Sequence, residues 1–236
     1  MSETNQNRKL FSTPFSAEYW CLAAGEVKST KMLVLAALLT ALRIAIKSLK
    51  IPLGPNLNIT FGFIINSLGS AIYGPVMAVL TSAISDTVGA ILFPTGTYFF
   101  PFIFEEIAGG VIFALFFYRA KITTLRVLLG RFFVTLVCNI ILNPCIMYYY
   151  YLMYMGKSYT ILSLPRMIKN LALFPVQSLF LVVFFNAMLP ITNRMGLTYM
   201  SNTKLEIKKK DILTLVILTL VSALAIAAYY WYRGIS

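Results

Sequence analysis

Charged and amide side chains recur at helical spacing inside stretches that are otherwise apolar. The last third of the chain carries Pro165-Arg166-Met167-Ile168-Lys169-Asn170 and then Pro175-Val176-Gln177. At about 100° per residue, Arg166, Asn170 and Gln177 fall within about 60° of one another, with Lys169 adjacent. Arg131, Thr135, Asn139 and Asn143 follow one another in steps of four, a polar ridge that drifts by about 40° per step. Glu105 and Glu106 are adjacent, so they point about 100° apart and only one of them is expected to face a shared interior. Cations and amides converging on one space suit a carboxylated ligand. A carboxylate beside them suits a donor–donor edge, such as a protonated ring nitrogen with an amino group. The competing assignment for the glutamates is an ion pair with Arg43 or Lys169.

Arg43 extends the set, and the candidate ligand-binding residues are Arg43, Glu105, Glu106, Asn139, Asn143, Arg166, Lys169, Asn170 and Gln177. Arg43 lies about 200° around its helix from Ala41, so Ala37, Ala41 and Ala45 form a stripe on the opposite face. Small residues four apart let another helix approach closely. Lys47 fits snorkelling toward the interface. Lys47, Arg166 and Lys169 lie near one end of the apolar segments, where an arriving anion would meet them. Asn66, Asp86 and Arg131 read as structural polar groups, with Arg131 nearer the other end. An ionisable group at mid-membrane costs at least about 2.5–3.5 kcal/mol, so these groups are expected to face protein or water.

Several chemistries are missing. The chain has no His, which removes Ser-His and Cys-His catalysis, His-ligated metals and a histidine pH switch. Cys21, Cys138 and Cys145 have no zinc spacing and read as small hydrophobes. Eight acidic residues are too few and too scattered for a metal-dependent membrane transferase, and no metal or cofactor is expected. Gly156-Lys157-Ser158 resembles the end of a phosphate loop, but position 151 is Tyr where that motif needs Gly. The chain is not expected to be an enzyme.

The elements that must carry these residues are membrane helices. Of 236 residues, 59% are hydrophobic and 12% charged, against roughly 25% charged in an ordinary soluble domain. Mean hydropathy is +0.79. A bilayer core of about 30 Å takes about 20 apolar residues per helix. Helices are predicted at 32–49, 59–73, 75–92, 101–118, 126–154 and 165–190, with the break between the second and third at Gly74-Pro75. A seventh apolar run covers 212–231. The fold class is therefore all-α and polytopic: residues 1–30 form a cytoplasmic or interfacial segment, 31–191 a six-helix ligand-binding domain, 192–210 a basic linker, and 211–236 an additional C-terminal transmembrane helix. The net charge of +12 comes from basic residues gathered between apolar segments, a membrane-topology pattern rather than a nucleic-acid footprint. Arg8, Lys9, Lys28, Lys31, Arg119, Lys121, Arg126, Arg194, Lys204 and Lys208–Lys210 fall on one side. Only Lys47, Lys50, Lys157, Arg166, Lys169 and Arg233 fall on the other, which predicts a cytoplasmic N-terminus in a cell membrane.

Four stretches carry a resemblance to a known family: the Ala37-xxx-Ala41-xxx-Ala45 stripe; Leu92-Phe93-Pro94-Thr95-Gly96-Thr97-Tyr98-Phe99-Phe100-Pro101; Arg131 with Asn139-Ile-Ile-Leu-Asn143; and Pro165-Arg166-Met-Ile-Lys169-Asn170 followed by Pro175. In order and spacing, over roughly residues 30–190, the chain resembles the substrate-binding (S) components of bacterial energy-coupling factor (ECF) vitamin transporters, and more specifically their folate family. The resemblance implies a six-helix bundle that captures folate or a reduced folate outside the cell. The loops after the first and third helices would cover it, with Pro55, Tyr98, Phe99 and Phe100 as gate and aromatic lid. The loaded chain would dock through the alanine stripe on a transmembrane coupling subunit served by two ATPase subunits, so ATP hydrolysis belongs to the partners. Phe104-Glu105-Glu106 departs from the small and hydroxyl residues usual at the start of the family's fourth helix, and the seventh segment exceeds its six-helix pattern. The alternatives are another vitamin, such as pantothenate or a cobalamin-type ligand, and a stand-alone secondary transporter.

Overall fold

The computed structural model describes residues 10–47, 49–54, 57–94, 97–161 and 163–197, with isolated positions 205, 213, 216, 217, 220, 224 and 227. Pro55, most of the basic linker and most of the expected seventh helix lie outside the described residues.

Helix α1 (Ala17–Glu26) starts at Ser16, whose hydroxyl accepts from the Tyr19 amide at 3.2 Å. After a 78° bend the chain enters α2 (Thr30–Lys47). At residues 51–56 the sequence predicts only a break. The backbone there forms a short antiparallel hairpin, β1 (Lys50–Gly54) with β2 (Leu57–Thr60), in which Lys50 pairs with Thr60 and Ile51 with Ile59.

Helix α3 (Gly62–Leu92) has 31 residues and would be about 46 Å long if straight. It is not straight. A Cβ on Gly62 would lie 3.3 Å from Lys47 Cγ, and one on Gly89 would lie 3.8 Å from Lys47 Cδ, so both ends meet the same side chain. The chain doubles back at Gly74, whose φ of 79° and ψ of −178° belong to a region essentially reserved for glycine. Pro75 follows, where its missing N–H leaves no bond unmade at the start of a helix. Tyr118 packs so closely on this corner that a Cβ on Gly74 would meet three of its ring atoms at 3.0 Å. The limbs 62–73 and 75–92 thus run antiparallel, as the Gly74-Pro75 pair predicts.

Helix α4 (Phe102–Phe117) lies against both limbs. A Cβ on Gly110 would reach Ser82 Oγ at 2.5 Å and Asn66 Oδ1 at 3.4 Å, so this glycine sets the closeness of the contact. Next come α5 (Thr124–Val134), a π-helical segment (Thr135–Leu142) and α6 (Asn143–Met155), which together form one continuous stretch. Gly156 in the left-handed conformation ends it. Helix α7 (Leu164–Arg194) completes the described bundle.

Among the described residues these helical lengths alternate between two ends. Lys47, Gly62, Gly89 and Glu106 mark one end. Gly74, Tyr118, the Arg126–Phe116 contact (3.3 Å) and the Lys31–Met195 contact (3.5 Å) mark the other. Gly62–Leu92, Thr124–Met155 and Arg166–Arg194 are long and apolar enough to cross a membrane. The first is folded at Gly74 into two shorter limbs, whose polar Asn66, Ser67, Ser70, Ser82 and Ser85 are buried in protein. Phe113, Phe117 and Phe185 centre the main core, with Phe117 and Phe185 edge-on at 5.0 Å.

Helix α1 locks the end opposite Lys47. Tyr19 is buried and donates to the Ala114 carbonyl at 3.1 Å. Tyr118 donates to Glu26 at 2.9 Å, and Arg119 pairs with the same carboxylate at 3.3 Å.

Candidate functional site

A cavity of about 1020 Å³ opens at the Lys47 end, between α2, both limbs of α3, α4, the π-helical stretch and α7. Its volume is at the upper end for small-molecule sites. The sequence-predicted residues Arg43, Glu105, Glu106, Asn139, Lys169, Asn170 and Gln177 all line it, as do Tyr98 and Phe99. Three others stand elsewhere. Asn143 reaches the cavity indirectly, donating to Glu105 Oε2 at 2.9 Å. Arg166 lies outside the lining, with its guanidinium over the Tyr159 ring at 4.8 Å. Phe100 is exposed, packs edge-on against Phe104 at 5.9 Å and does not line the cavity as Tyr98 and Phe99 do.

The two glutamates have different surroundings. Glu106 is held by both Arg43 and Lys47, one cation on each carboxylate oxygen. Arg43 also donates to Ser82 at 3.1 Å, and Lys47 lies 3.9 Å from Asp86. Lys47 therefore turns inward to this network instead of snorkelling outward; its position one turn from Arg43 was the available signal. Among the described residues Glu105 is anchored through the neutral Asn143 amide and is the carboxylate less occupied by cations. Asp86 and Asn66, read as structural, also line the cavity, and Asp86 Oδ2 and Asn66 Oδ1 have no hydrogen-bond partner among the described residues.

Arg131, expected nearer the opposite end, lies in the cavity wall. It donates to Gln177 Oε1 and sits 4.6 Å from the Phe63 ring centroid. The π-helical segment that follows sets its bearing relative to Asn143. On a regular α-helix, Arg131 and Asn143 would be turned about 120° apart by their spacing. A π turn takes in an extra residue, which offsets the drift and keeps both groups on the cavity side.

The aromatic wall was only half visible in sequence. Phe99 is buried and packs edge-on against Tyr150 at 5.6 Å, and Phe102 lies 6.3 Å from the same ring. Phe63, Phe93, Phe102 and Tyr150 line the cavity without having been singled out. The run Tyr148–Tyr151 in an apolar helix was the unused signal. On the outer surface, Ala37, Ala41 and Ala45 are all exposed, among exposed Val34, Leu38 and Leu42, on the face opposite buried Arg43.

The bundle and its cavity match known proteins. A family model described as the ECF-type riboflavin transporter S component matches residues 27–188. The folate transporter FolT of Clostridium novyi is 32% identical over 125 residues, which is 53% of this chain and 70% of that protein. FolT of Leuconostoc mesenteroides is 34% identical over 151 residues, 63% of this chain and 80% of its own. A crystal structure of FolT bound with folic acid is similar at a TM-score of 0.55 and 33% identity, over 64% of this chain and 89% of that one. The chain belongs to the folate family of ECF-type S components. It is thus a multi-pass membrane component of a transporter, as expected, and the family is not one of enzymes. The family match begins at residue 27, so α1 lies outside it, and it ends within α7.

Proposed function

We propose that this S component binds folate or a reduced folate in the cavity and delivers it to an ATP-driven coupling module for uptake. The observation that carries the ligand assignment is the division of charge across the cavity. Asp86, Glu105 and Glu106 all stand on the α3–α4 side, where Arg43 and Lys47 of α2 hold Glu106 and Lys47 also lies near Asp86, so Glu105 is the acid that carries the negative end. The α5–α7 side offers Arg131 and Lys169, and the sequence has no Asp or Glu between Glu106 and Glu206. Folate has the complementary polarity: a pterin with a hydrogen-bond donor edge at one end and a glutamate tail at the other. In this reading Glu105, oriented by Asn143, accepts from the pterin. Lys169, with Arg166 beyond it, supplies positive charge for the tail. Asn139, Asn170 and Gln177 provide neutral hydrogen bonds, and Tyr98, Phe99 and Tyr150 enclose the aromatic body. Glu106 is a tie between α2 and α4. The names and folate-bound structure of the relatives support the same ligand.

The cavity end then faces outward and the α1 end faces the cytoplasm, in keeping with the charge bias of the segments. The exposed alanine face of α2 meets the transmembrane coupling subunit, whose two ATPase partners supply the energy.

Calorimetric titration of the purified chain tests the pose. Replacing Lys169 and Arg166 together by Gln is expected to weaken folate at least about tenfold, the equivalent of one lost charge-assisted contact. An analogue whose tail carboxylates are amides should change by less than about threefold. Equal losses for both ligands refute the tail assignment.

A further inference from the structure

Helix α1 lies outside the part of the chain that matches the family, and the bundle holds it by one face. Tyr19, Ala23 and Glu26 are buried, with Tyr118, Val76 and Leu115 among the side chains packed there. On the other side Ala17, Trp20, Cys21 and Ala24 fall within about 100° of arc, and all four are exposed. Phe15, just before the helix, is 89% exposed. A contiguous apolar face of this kind marks a contact with a membrane or another protein. Three observations favour lipid. First, α2 runs between the two ends of the bundle and α1 leaves it at 78°, so α1 lies across the end, along the membrane surface. Second, Phe15 and Trp20 are bulky and project outward. They would hold a partner helix away, unlike the alanines of α2, whereas Trp is favoured where acyl chains meet headgroups. Third, the charges complement an anionic surface. Lys28 and Lys31 are exposed at the bend, with Lys121 and Arg194 at the same end, while Glu26 is taken up by Arg119 at 3.3 Å.

We propose that the outward face of α1 is a binding surface for anionic phospholipid, in which Phe15 and Trp20 enter the boundary between acyl chains and headgroups and Lys28 and Lys31 meet the phosphates beside them. The Tyr19 bond to Ala114 and the Glu26 contacts with Tyr118 and Arg119 hold the other face on the bundle, so α1 is clamped between protein and leaflet. Lipid bound there fixes the depth at which this end of the bundle sits. The surface lies at the end opposite the cavity mouth and does not depend on which ligand the cavity takes.

The chain has two tryptophans, so Trp231→Phe leaves Trp20 as the only one. The full-length protein in this background is reconstituted in bilayers that contain phosphatidylcholine or phosphatidylglycerol brominated on the acyl chains. Quenching of Trp20 by each lipid gives the ratio of their association constants at that site. Both lipids are expected to quench, with phosphatidylglycerol favoured about fivefold, as one lysine close to the surface implies. Lys28→Gln with Lys31→Gln should bring that preference below about twofold, with quenching by phosphatidylcholine and the thermal unfolding temperature in detergent unchanged. If neither lipid quenches Trp20, the face does not meet the leaflet and the proposal is overturned; protection of Trp20 from acrylamide on adding the coupling module would then assign the face to a protein. Equal quenching by the two lipids in the background protein, or a preference that survives the double replacement, overturns the anionic site.

Discussion

Glu106 illustrates how the same residue can be assigned to opposite tasks. By type and depth it suits a ligand's donor edge, yet Arg43 and Lys47 occupy both of its oxygens. Removing one member of such a network leaves low-dielectric charges uncompensated, a loss of about 3–5 kcal/mol for fully buried pairs. Lys47 and Glu106 are partly exposed, at 28% and 24%, which places Glu106→Gln near the lower end, about 3 kcal/mol, read as a fall in thermal unfolding temperature in detergent. Glu105→Gln removes no ion pair and should leave stability nearly unchanged while lowering folate affinity. The opposite pattern would mean that Glu106 reads the ligand. Sequence alone left the two open because adjacency fixes only their 100° divergence, not which direction the neighbours occupy. The ion pair with Arg43, one of the two assignments the sequence leaves open, is the one that Glu106 takes: the partners lie 63 residues apart, and only the fold brings them together.

At the scale of elements, much of the bundle was legible. Gly74-Pro75 marked the turn of α3 because no other residue pair combines a glycine-only conformation with a ready-made helix start. The apolar lengths gave the rods to within a few residues of α2, α4 and α7. The π-helical stretch was not legible, since nothing in Thr135–Leu142 distinguishes it from an α-helix by composition; tertiary packing selects it. The hairpin before α3 was hidden for a related reason: Pro52 and Gly54 signal a break without specifying what closes it. Helix α2 was read on both faces, with Arg43 inside and the three alanines outside. Ala41→Leu adds bulk to an exposed position, so folding and folate affinity should be unchanged. Uptake in cells that contain the coupling module should be abolished, because close approach of another helix depends on small side chains. Retained uptake would remove the stripe from the docking face.

Across the whole molecule, every described acid lies before residue 107, and the later helices carry only basic charge. That separation arises from the order of the segments, so it extends beyond the contacts that any one side chain makes. On the folate reading proposed above, an elongated anion approaching the opening would meet a lopsided electric field and be turned tail-first toward α7 before it touches the wall. Pre-alignment of this kind speeds capture and is weakened by mobile ions. Stopped-flow mixing at rising salt should therefore slow the association rate several-fold, while the escape rate of the bound vitamin barely moves. In dilute surroundings the carrier would harvest its cargo faster than in brine, at nearly the same residence time.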